Sequence, residues 1–233
     1  MTTSAAEKKD YLNQLQSKLD KNLSHRKQEL TILKIEISKA RGKTLNTFLR
    51  AGTLLLYSHW EGFIKEASKE YLRFLNNQKL LCSQMKDNFF VTSLKGNIID
   101  ISKSKKTSKH YELFNKIADS STVTFKVNVD SNEKPIIETF SNLKWEFFEE
   151  ILFIVGLETF DQTNHQIIDS ILLDRRNKIA HGERIQLVKR FDSEEHAEEV
   201  IKDYDNLQDK IIDLLEQFKD NILDSAANKY YLK

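Results

Sequence analysis

The sequence predicts an all-α protein, a helical bundle that carries a small inserted β-hairpin. One proline and six glycines occur in 233 residues, so the chain has few obligatory helix breaks. Apolar residues recur at helical spacing over most of the chain. Strict alternation of apolar and polar residues occurs in one short stretch near the middle, which indicates a strand there. All-β and doubly wound α/β folds are therefore disfavoured.

Two long amphipathic stretches define the first two helices. Residues 7 to 43 carry leucine and isoleucine at spacings of three, four and seven among charged residues, and Gly42 is the predicted end of this helix. Residues 45 to 75 form a wider apolar face that is rich in large side chains. We therefore expect the second helix to lie at the centre of the core.

The middle of the chain is predicted to be an insertion, at about residues 77 to 142, in a single domain of residues 1 to 233. Loops and one or two short helices are expected in its first part. "TVTFKVNVD" (residues 122 to 130) then alternates, and "DSNEKP" and "IIETF" follow it. A strand, a turn and a second apolar run predict a hairpin over about residues 122 to 140.

Three further helices complete the predicted bundle. Residues 143 to 157 and residues 164 to 182 resume helical spacing, and Gly182 is the predicted end of the second of these helices. From about residue 195 to residue 223, apolar residues recur at four-three spacing. We expect this last helix to be an internal element of the bundle.

Charge and cysteine content limit the class of protein. With 36 Lys and Arg against 35 Asp and Glu, the chain lacks the global positive field of a generic nucleic-acid coat protein. A single cysteine, Cys82, cannot form an internal disulfide, and no Cys/His spacing is typical of a zinc site. No stretch reaches the ~18 uncharged residues of a membrane span. A cytoplasmic protein without a metal or other cofactor is expected.

The stretch "RRNKIAHGE" (residues 175 to 183) concentrates side chains that suit phosphodiester chemistry. Cleaving RNA without a metal needs a base for the 2′-hydroxyl, an acid for the leaving 5′-oxygen and positive charge at the phosphorane. One arginine and one histidine do not fill all three roles. On an ideal helix Arg176 also lies about 140° from His181. The chemistry therefore favours a two-fold homodimer that brings two copies of this face together.

The same stretch carries a resemblance to a known family. "RNKIAHG", "LLLYSHWEGFIKEASKEYL" (residues 54 to 72) and "FSNLKWEFFEEILFIVGL" (residues 140 to 157) resemble the bacterial HEPN domains of the RiboL-PSP-HEPN type. The similarity covers about residues 43 to 219. It implies an HEPN-like helical bundle that dimerises and acts as a metal-independent endoribonuclease in a toxin-antitoxin or anti-phage defence system. The implied partners are RNA, a second copy of the chain and a cognate antitoxin or other defence-system protein.

The resemblance also implies roles for individual residues. Arg176 would bind and stabilise the scissile phosphate, Asn177 would orient the substrate or the histidine, and His181 would act as general acid or base. The helix positions, and not the resemblance, indicate three further residues that could support the motif: Glu61 as a partner of an arginine, Arg175 as a structural ion-pair partner, and Lys178 on the same helix stripe as His181. A histidine in the last helical turn suits the role of acid, because the helix dipole favours its protonated form.

Each functional interpretation has a simpler alternative. The basic residues of the motif also fit a solvated helix C-terminus, and His59 and Glu61 fit polar positions that flank the packed Trp60. Four lysines are candidate contacts for RNA phosphates, although they also fit a solvated loop: Lys103, Lys105, Lys106 and Lys109. For the whole chain, the alternatives are a non-catalytic dimerisation or partner-binding module of a defence operon and a nucleotide-binding domain. A metal-dependent nuclease is disfavoured because no carboxylate cluster accompanies the histidine.

Overall fold

Helices account for most of the chain in a computed structural model that describes residues 5–119 and 121–233. In these residues there are seven α-helices, a 3-10 turn at Cys82–Gln84, a π-helical stretch at Gln166–Leu173 and no strand. The α-helices are α1 (Ala5–Lys39), α2 (Gly42–Asn77), α3 (Asp87–Ser102), α4 (Thr107–Ala118), α5 (Trp145–Val155), α6 (Asp174–Ala180) and α7 (Glu194–Asn228). The all-α prediction is confirmed. No helix in the described residues is long and apolar enough to cross a membrane.

The three long helices α1, α2 and α7 pack against one another. A helix turns once in 3.6 residues, so apolar residues four and seven apart lie on one side. On α1 the residues of this side are buried: Leu15, Leu19, Leu23, Leu30 and Ile37. Burying a side chain of this size contributes about 1.5–3 kcal/mol, so the apolar stripe is what attaches α1 to the bundle.

An aromatic cluster lies where α2, α5 and α7 meet. The ring of Phe148 on α5 lies 5.1 Å from that of Trp60 and 5.8 Å from that of Phe218, measured between centroids. Trp145 and Phe160 add rings at 5.2 Å on other sides of Phe148. The indole nitrogen of Trp60 donates a hydrogen bond to the Leu143 carbonyl at 3.2 Å, so its one polar atom is satisfied inside the core.

The last helix, α7, extends beyond its predicted bounds at its C-terminal end. Ser193 begins it, because the Ser193 hydroxyl accepts a hydrogen bond from the backbone nitrogen of His196 at 3.2 Å. The four-three pattern faces α1 and α2 inside the same chain and buries Tyr204, Leu207, Ile211, Leu214, Phe218 and Ile222. This helix is therefore an internal bundle element.

The boundary between α1 and α2 differs from the prediction by three residues. The first helix ends at Lys39, and Gly42, with φ +57°, is the first residue of α2. Arg41 before it has an extended backbone and caps α2 through no side-chain bond. The chain turns at residues 40 and 41, so the glycine allows the second helix to start and does not end the first.

The predicted hairpin is wrong. Residues 123 to 128 form a single isolated antiparallel bridge, between Thr124 and Leu81, and the alternation correctly identifies Phe125, Val127 and Val129 as buried. The hydrogen-bond partners of this stretch, however, lie at the end of α2 and in the segment that follows it. The Phe125 nitrogen donates to the Leu80 carbonyl at 2.8 Å, and the Asn76 carboxamide bonds both the nitrogen and the carbonyl of Val127. With these groups occupied, residues 131 to 140 form bends in place of a second strand.

The first part of the insertion contains two short helices, α3 and α4. Phe89 and Leu94 attach α3 to the core. In contrast, α4 buries no residue, and its main packing partner is α3. This helix therefore contributes little to the stability of the bundle, and its exposed side chains are available to contact other molecules.

We expect the substitution Phe148→Ala to lower the free energy of unfolding by about 3–5 kcal/mol, because it empties the centre of the aromatic cluster. The matched control is Phe153→Ala on the same helix, where the phenylalanine is 55% exposed. This control should lower it by less than about 1 kcal/mol. Urea unfolding followed by circular dichroism measures both values. Equal losses in the two variants would contradict the assignment of the cluster as the core.

Candidate functional site

The helix that carries "RRNKIAHG" is irregular in its first half. Residues Gln166–Leu173 are π-helical and run without a break into α6, which ends at Ala180. The predicted helix over residues 164 to 182 is confirmed to within two residues. A π-helical turn holds more residues than an α-helical turn and is frequent at functional sites. The stretch therefore sets the direction in which the side chains of α6 point.

Gly182 ends this helix as predicted. Its φ is +80°, a conformation that glycine adopts without strain. The Gly182 nitrogen donates to the Ile179 carbonyl at 3.0 Å, and the Glu183 nitrogen donates to the Lys178 carbonyl at 2.9 Å. This pair of bonds is the Schellman motif, in which the carbonyls of the last helical turn are satisfied. The backbone on both sides of His181 is therefore fixed.

Arg176 is held in one orientation by three contacts. Its guanidinium carbon lies 4.3 Å from the centroid of the Tyr57 ring on α2, a cation–π contact. One terminal nitrogen donates to the carboxamide oxygen of Asn177 at 2.8 Å, and the other donates to the Ser141 carbonyl at 3.5 Å. Arginine has five donor hydrogens, so these contacts leave donors free for a ligand.

An open cleft of about 510 Å³ lies between α2 and α6 at this arginine. Charged and polar side chains on its walls include Glu61, Lys65 and Arg176. The remaining walls are formed by Leu54, Tyr57, Ser58, Gly62 and Ala180. The cleft therefore brings together the predicted phosphate-binding arginine and the predicted supporting residue Glu61.

Tyr57 connects three parts of the site and was not predicted. Its hydroxyl accepts a hydrogen bond from the Leu143 backbone nitrogen at 2.9 Å, while its ring supports Arg176. Burial raises the pKa of Tyr57 well above its ordinary value, and a hydrogen bond to Glu61 raises it further. The phenol therefore stays protonated, close to the Glu61 carboxylate. Its position four residues before Glu61 on one helix was the available sequence signal.

The structure separates the roles expected for Asn177 and His181. The Asn177 side-chain oxygen accepts a hydrogen bond from Arg176 at 2.8 Å. His181 is exposed, its ring has no hydrogen-bond partner among the described residues, and it is not among the residues that line the cleft. Within one chain, Arg176 and His181 therefore do not share the cleft.

The other two predicted supporting residues differ from each other. Lys178 is ion-paired with Asp174 at 2.7 Å, and this partner raises the pKa of the Lys178 ammonium. Arg175 is half-buried and makes no ion pair within residues 5–119 and 121–233. Lys178 is thus neutralised on the outside of α6, whereas Arg175 remains a cation beside the motif.

Two residues of α2 hold the loop that follows the motif, and sequence analysis did not identify them. A terminal nitrogen of Arg50 donates to the carbonyls of Glu183 and Ile185, at 2.9 and 3.0 Å. One turn earlier, the Asn46 side-chain oxygen accepts from the backbone nitrogens of Leu187 and Val188. These bonds attach the chain after Gly182 to α2, which limits how far the turn at His181 moves.

His59 faces the opposite side of α2 and is not part of the cleft. It is buried against α1, where Arg26 donates to its Nδ1 atom at 3.2 Å. Its Nε2 atom is 3.2 Å from a Glu29 oxygen, close enough for an ion pair but misaligned for a hydrogen bond. Burial, followed by the charge of Arg26, lowers the pKa of His59 to about 4. His59 is therefore neutral at pH 7 and structural.

The groups that commonly hold metals are scattered. In the described residues, no three His, Cys, Asp or Glu side chains lie close enough to hold one ion. Cys82 is buried with its sulfur 4.0 Å from the Ser93 hydroxyl, and burial raises the pKa of its thiol. This thiol faces the insertion and not the cleft between α2 and α6.

The four candidate lysines surround the start of α4. Lys103 follows α3, Lys105 and Lys106 lie in the turn, and Lys109 is in the first turn of α4. All four are exposed, and Lys109 is ion-paired with Glu112 at 3.3 Å. Behind them α4 exposes a stripe of large apolar residues that sequence analysis did not identify: Tyr111, Phe114 and Ile117. The rings of the first two are nearly parallel, with centroids 6.5 Å apart.

The helical fold and the arginine–asparagine–histidine motif at a helix end describe a protein of HEPN type. Residues 21–228 match the RiboL-PSP-HEPN family, and the chain belongs to this family. No curated protein and no solved structure matches it significantly. Membership suggests a nuclease or an RNA-related role, and HEPN domains often dimerise.

The buried His59 predicts a pH dependence of stability. In the folded protein this side chain gains a proton only near pH 4, whereas in the unfolded chain it gains one near about 6.5. Its contribution is therefore complete above about pH 6.5 and is lost as the pH falls toward 4, up to roughly 3 kcal/mol. Denaturant unfolding at pH 7 and pH 4.5 should show a smaller loss in His59→Gln than in the wild type. The same loss in both proteins would refute the prediction.

Proposed function

We propose that the chain is a metal-independent endoribonuclease of the HEPN type that acts in a toxin-antitoxin or anti-phage defence system. RNA is cut by Arg176 and His181 at the interface of a homodimer. One observation carries the proposal. Arg176 is fixed over Tyr57 by the Asn177 carboxamide, with free donors at the edge of an open cleft. A guanidinium fixed in this way binds a phosphate without first losing its own conformational freedom.

The proposed reaction is an internal transesterification. A base takes the proton of the ribose 2′-hydroxyl, whose oxygen attacks the phosphorus and forms a phosphorane. The bond to the 5′-oxygen then breaks, and an acid donates a proton to that oxygen. The products are a 2′,3′-cyclic phosphate and a 5′-hydroxyl. Arg176 stabilises the negative oxygens of the phosphorane, and His181 provides the proton transfer.

The position of His181 is the reason for proposing a dimer. It is exposed at the end of α6 and does not line the cleft at Arg176 of its own chain. In a two-fold dimer each surface meets its own copy, so two histidines and two arginines border one groove. One of the two histidines in this groove acts as the base and the other as the acid. A single chain has only one motif histidine and cannot supply both.

Glu61 and Tyr57 complete the proposed site as positioning residues. Glu61 and Tyr57 line the cleft together, and the Tyr57 ring lies under Arg176. Because these groups hold the guanidinium and not the RNA, their loss should change the strength of phosphate binding more than the protonation of His181. Asn177 has the same function from the side of α6.

We also propose that the lysines near α4 bind RNA phosphates. Lys103, Lys105 and Lys106 are exposed, and no hydrogen bond or ion pair of their side chains occurs within the described residues. Phosphate contacts are electrostatic and need little fixed geometry. The exposed rings of Tyr111 and Phe114 add flat surfaces of the kind on which unpaired bases stack.

The alternative function is a non-catalytic dimerisation or partner-binding module of a defence operon. The apolar stripe on α4 is the observation in its favour, because it is a surface that a protein partner would cover. In that case the chain would bind a protein but would neither cleave nor bind RNA.

Cleavage of mixed single-stranded RNA in the presence of EDTA tests the proposal. We expect Arg176→Ala and His181→Ala each to lower the single-turnover rate at least about 100-fold, since each removes a group that acts on the transition state. The matched control is His165→Ala, an exposed histidine of the same helical stretch that is ion-paired with Asp169. It should retain the wild-type rate.

Three outcomes would count against the proposal. Equal rates in wild type, Arg176→Ala and His181→Ala would remove the site assignment. A strictly monomeric protein by light scattering, at concentrations where it cleaves RNA, would remove the dimer. The absence of both cleavage and RNA binding would favour the non-catalytic alternative.

The lysine surface gives a separate prediction about salt. In a His181→Ala background that does not cleave, Lys105→Ala combined with Lys106→Ala should weaken binding of single-stranded RNA of any sequence. The slope of log affinity against log salt should become smaller by about 1.4, or ~0.7 for each lost phosphate contact. Fluorescence anisotropy at several salt concentrations measures it. The control pair is Lys202→Ala with Lys210→Ala on α7, both exposed; an equal change in this pair would count against a specific lysine surface.

A further inference from the structure

The loop before α5 has an unusual backbone at the edge of the cleft. Phe140 and Ser141 have φ of +51° and +60°, the left-handed region that residues with a side chain rarely adopt. Two such residues in succession cost conformational free energy, and neither is a glycine. The side-chain oxygen of Asn142 is also buried without a hydrogen-bond partner among the described residues. Unfavourable features of this kind cluster at functional sites, where the surrounding structure holds them in place.

The contacts that hold this loop are contacts of the site. The Leu143 nitrogen donates to the Tyr57 hydroxyl at 2.9 Å, and the Leu143 carbonyl accepts from the Trp60 indole at 3.2 Å. The Ser141 carbonyl accepts from Arg176 at 3.5 Å. The residue next to Phe140 is thus in direct contact with the proposed phosphate-binding group. Consecutive Cα atoms are about 3.8 Å apart, so the backbone of Phe140 lies next to the residue that contacts this group.

The ring of Phe140 is supported on one side and open on the other. Its centroid lies 4.4 Å from that of Phe147 in the first turn of α5, at an interplanar angle of 38°. Despite this contact, Phe140 remains 57% exposed. The backbone of this loop is unfavourable, and it leaves a large apolar ring exposed to water. The stability of the fold does not explain this combination.

We infer that Phe140 is a stacking surface for the nucleobase beside the phosphate that Arg176 binds, an inference that rests on the proposed function. It identifies the substrate as RNA that is unpaired at the cut. In a duplex both faces of a base are covered by its neighbours, whereas a splayed base offers a π-face to an aromatic side chain. Tyr57 does not serve this purpose, because its ring is buried under Arg176.

The test uses His181→Ala protein, which should bind RNA without cutting it, and a fluorescein-labelled single-stranded RNA of mixed sequence. Adding Phe140→Ala should weaken binding about 5- to 100-fold, the range for loss of one base–aromatic stack. Alanine at this position has the same backbone strain as phenylalanine, so the change is confined to the ring. The matched control is Phe153→Ala, which removes an equally exposed ring from α5 and should leave affinity unchanged.

A second variant, Phe140→Trp, provides a signal that a structural role would not produce. It should bind RNA at least as well as the parent, and emission from the introduced indole should be quenched when a base stacks on it. The two native tryptophans, Trp60 and Trp145, are buried and provide a constant background. The same strand annealed to its complement should give little quenching.

The outcomes separate the inference from the function on which it rests. If the parent binds RNA while Phe140→Ala binds equally well and the indole is not quenched, the stacking role is wrong and the nuclease proposal stands. If no variant and no parent binds RNA, both fail. If Phe140→Ala changes the oligomeric state in light scattering, the ring is covered by a second copy of the chain, which also overturns the inference.

Discussion

The contact between Tyr57 and Arg176 is the interaction on which the organisation of the site depends. It joins α2, the longest core helix, to α6, which carries the motif, and the hydroxyl of the same tyrosine holds the loop before α5. A cation–π contact is stronger when both groups are partly removed from water. Tyr57 is buried and Arg176 half-buried, so this contact is favourable enough to keep an arginine in one orientation at the edge of an open cleft.

Helical periodicity was sufficient to predict most of the fold. The apolar stripes of α1, α2 and α7 bury most of the side chains that the spacing indicated, because burial of a continuous stripe outweighs local preferences over such long helices. The predicted hairpin was wrong for a physical reason. Alternation predicts that residues 122 to 130 are extended and half-buried, but not which backbone they pair with. Asn76 and Leu80 lie in another part of the sequence, and only the tertiary fold brings them to this segment.

The site could be predicted only in its motif. Arg176, Asn177 and His181 are close in sequence, so their spacing suggests shared chemistry, and Glu61 was identified as the partner of an arginine. The residues that hold them are distant in sequence: Tyr57 under the guanidinium, Arg50 on the following loop, and Ser141 with its positive φ. The π-helical stretch was also not predicted, because its residues have the same apolar pattern as an ordinary helix.

The π-helical stretch has a consequence for how the orientation of α6 is set. Because Gln166–Leu173 runs continuously into α6, the number and winding of the residues in this stretch determine the direction in which the side chains of α6 point. An α-helix advances about 100° per residue and a π-helix advances less, so winding the same eight residues as an α-helix would turn α6 about its axis and move the guanidinium off the Tyr57 ring. The winding of this segment therefore positions Arg176 as much as the contacts of its own side chain do.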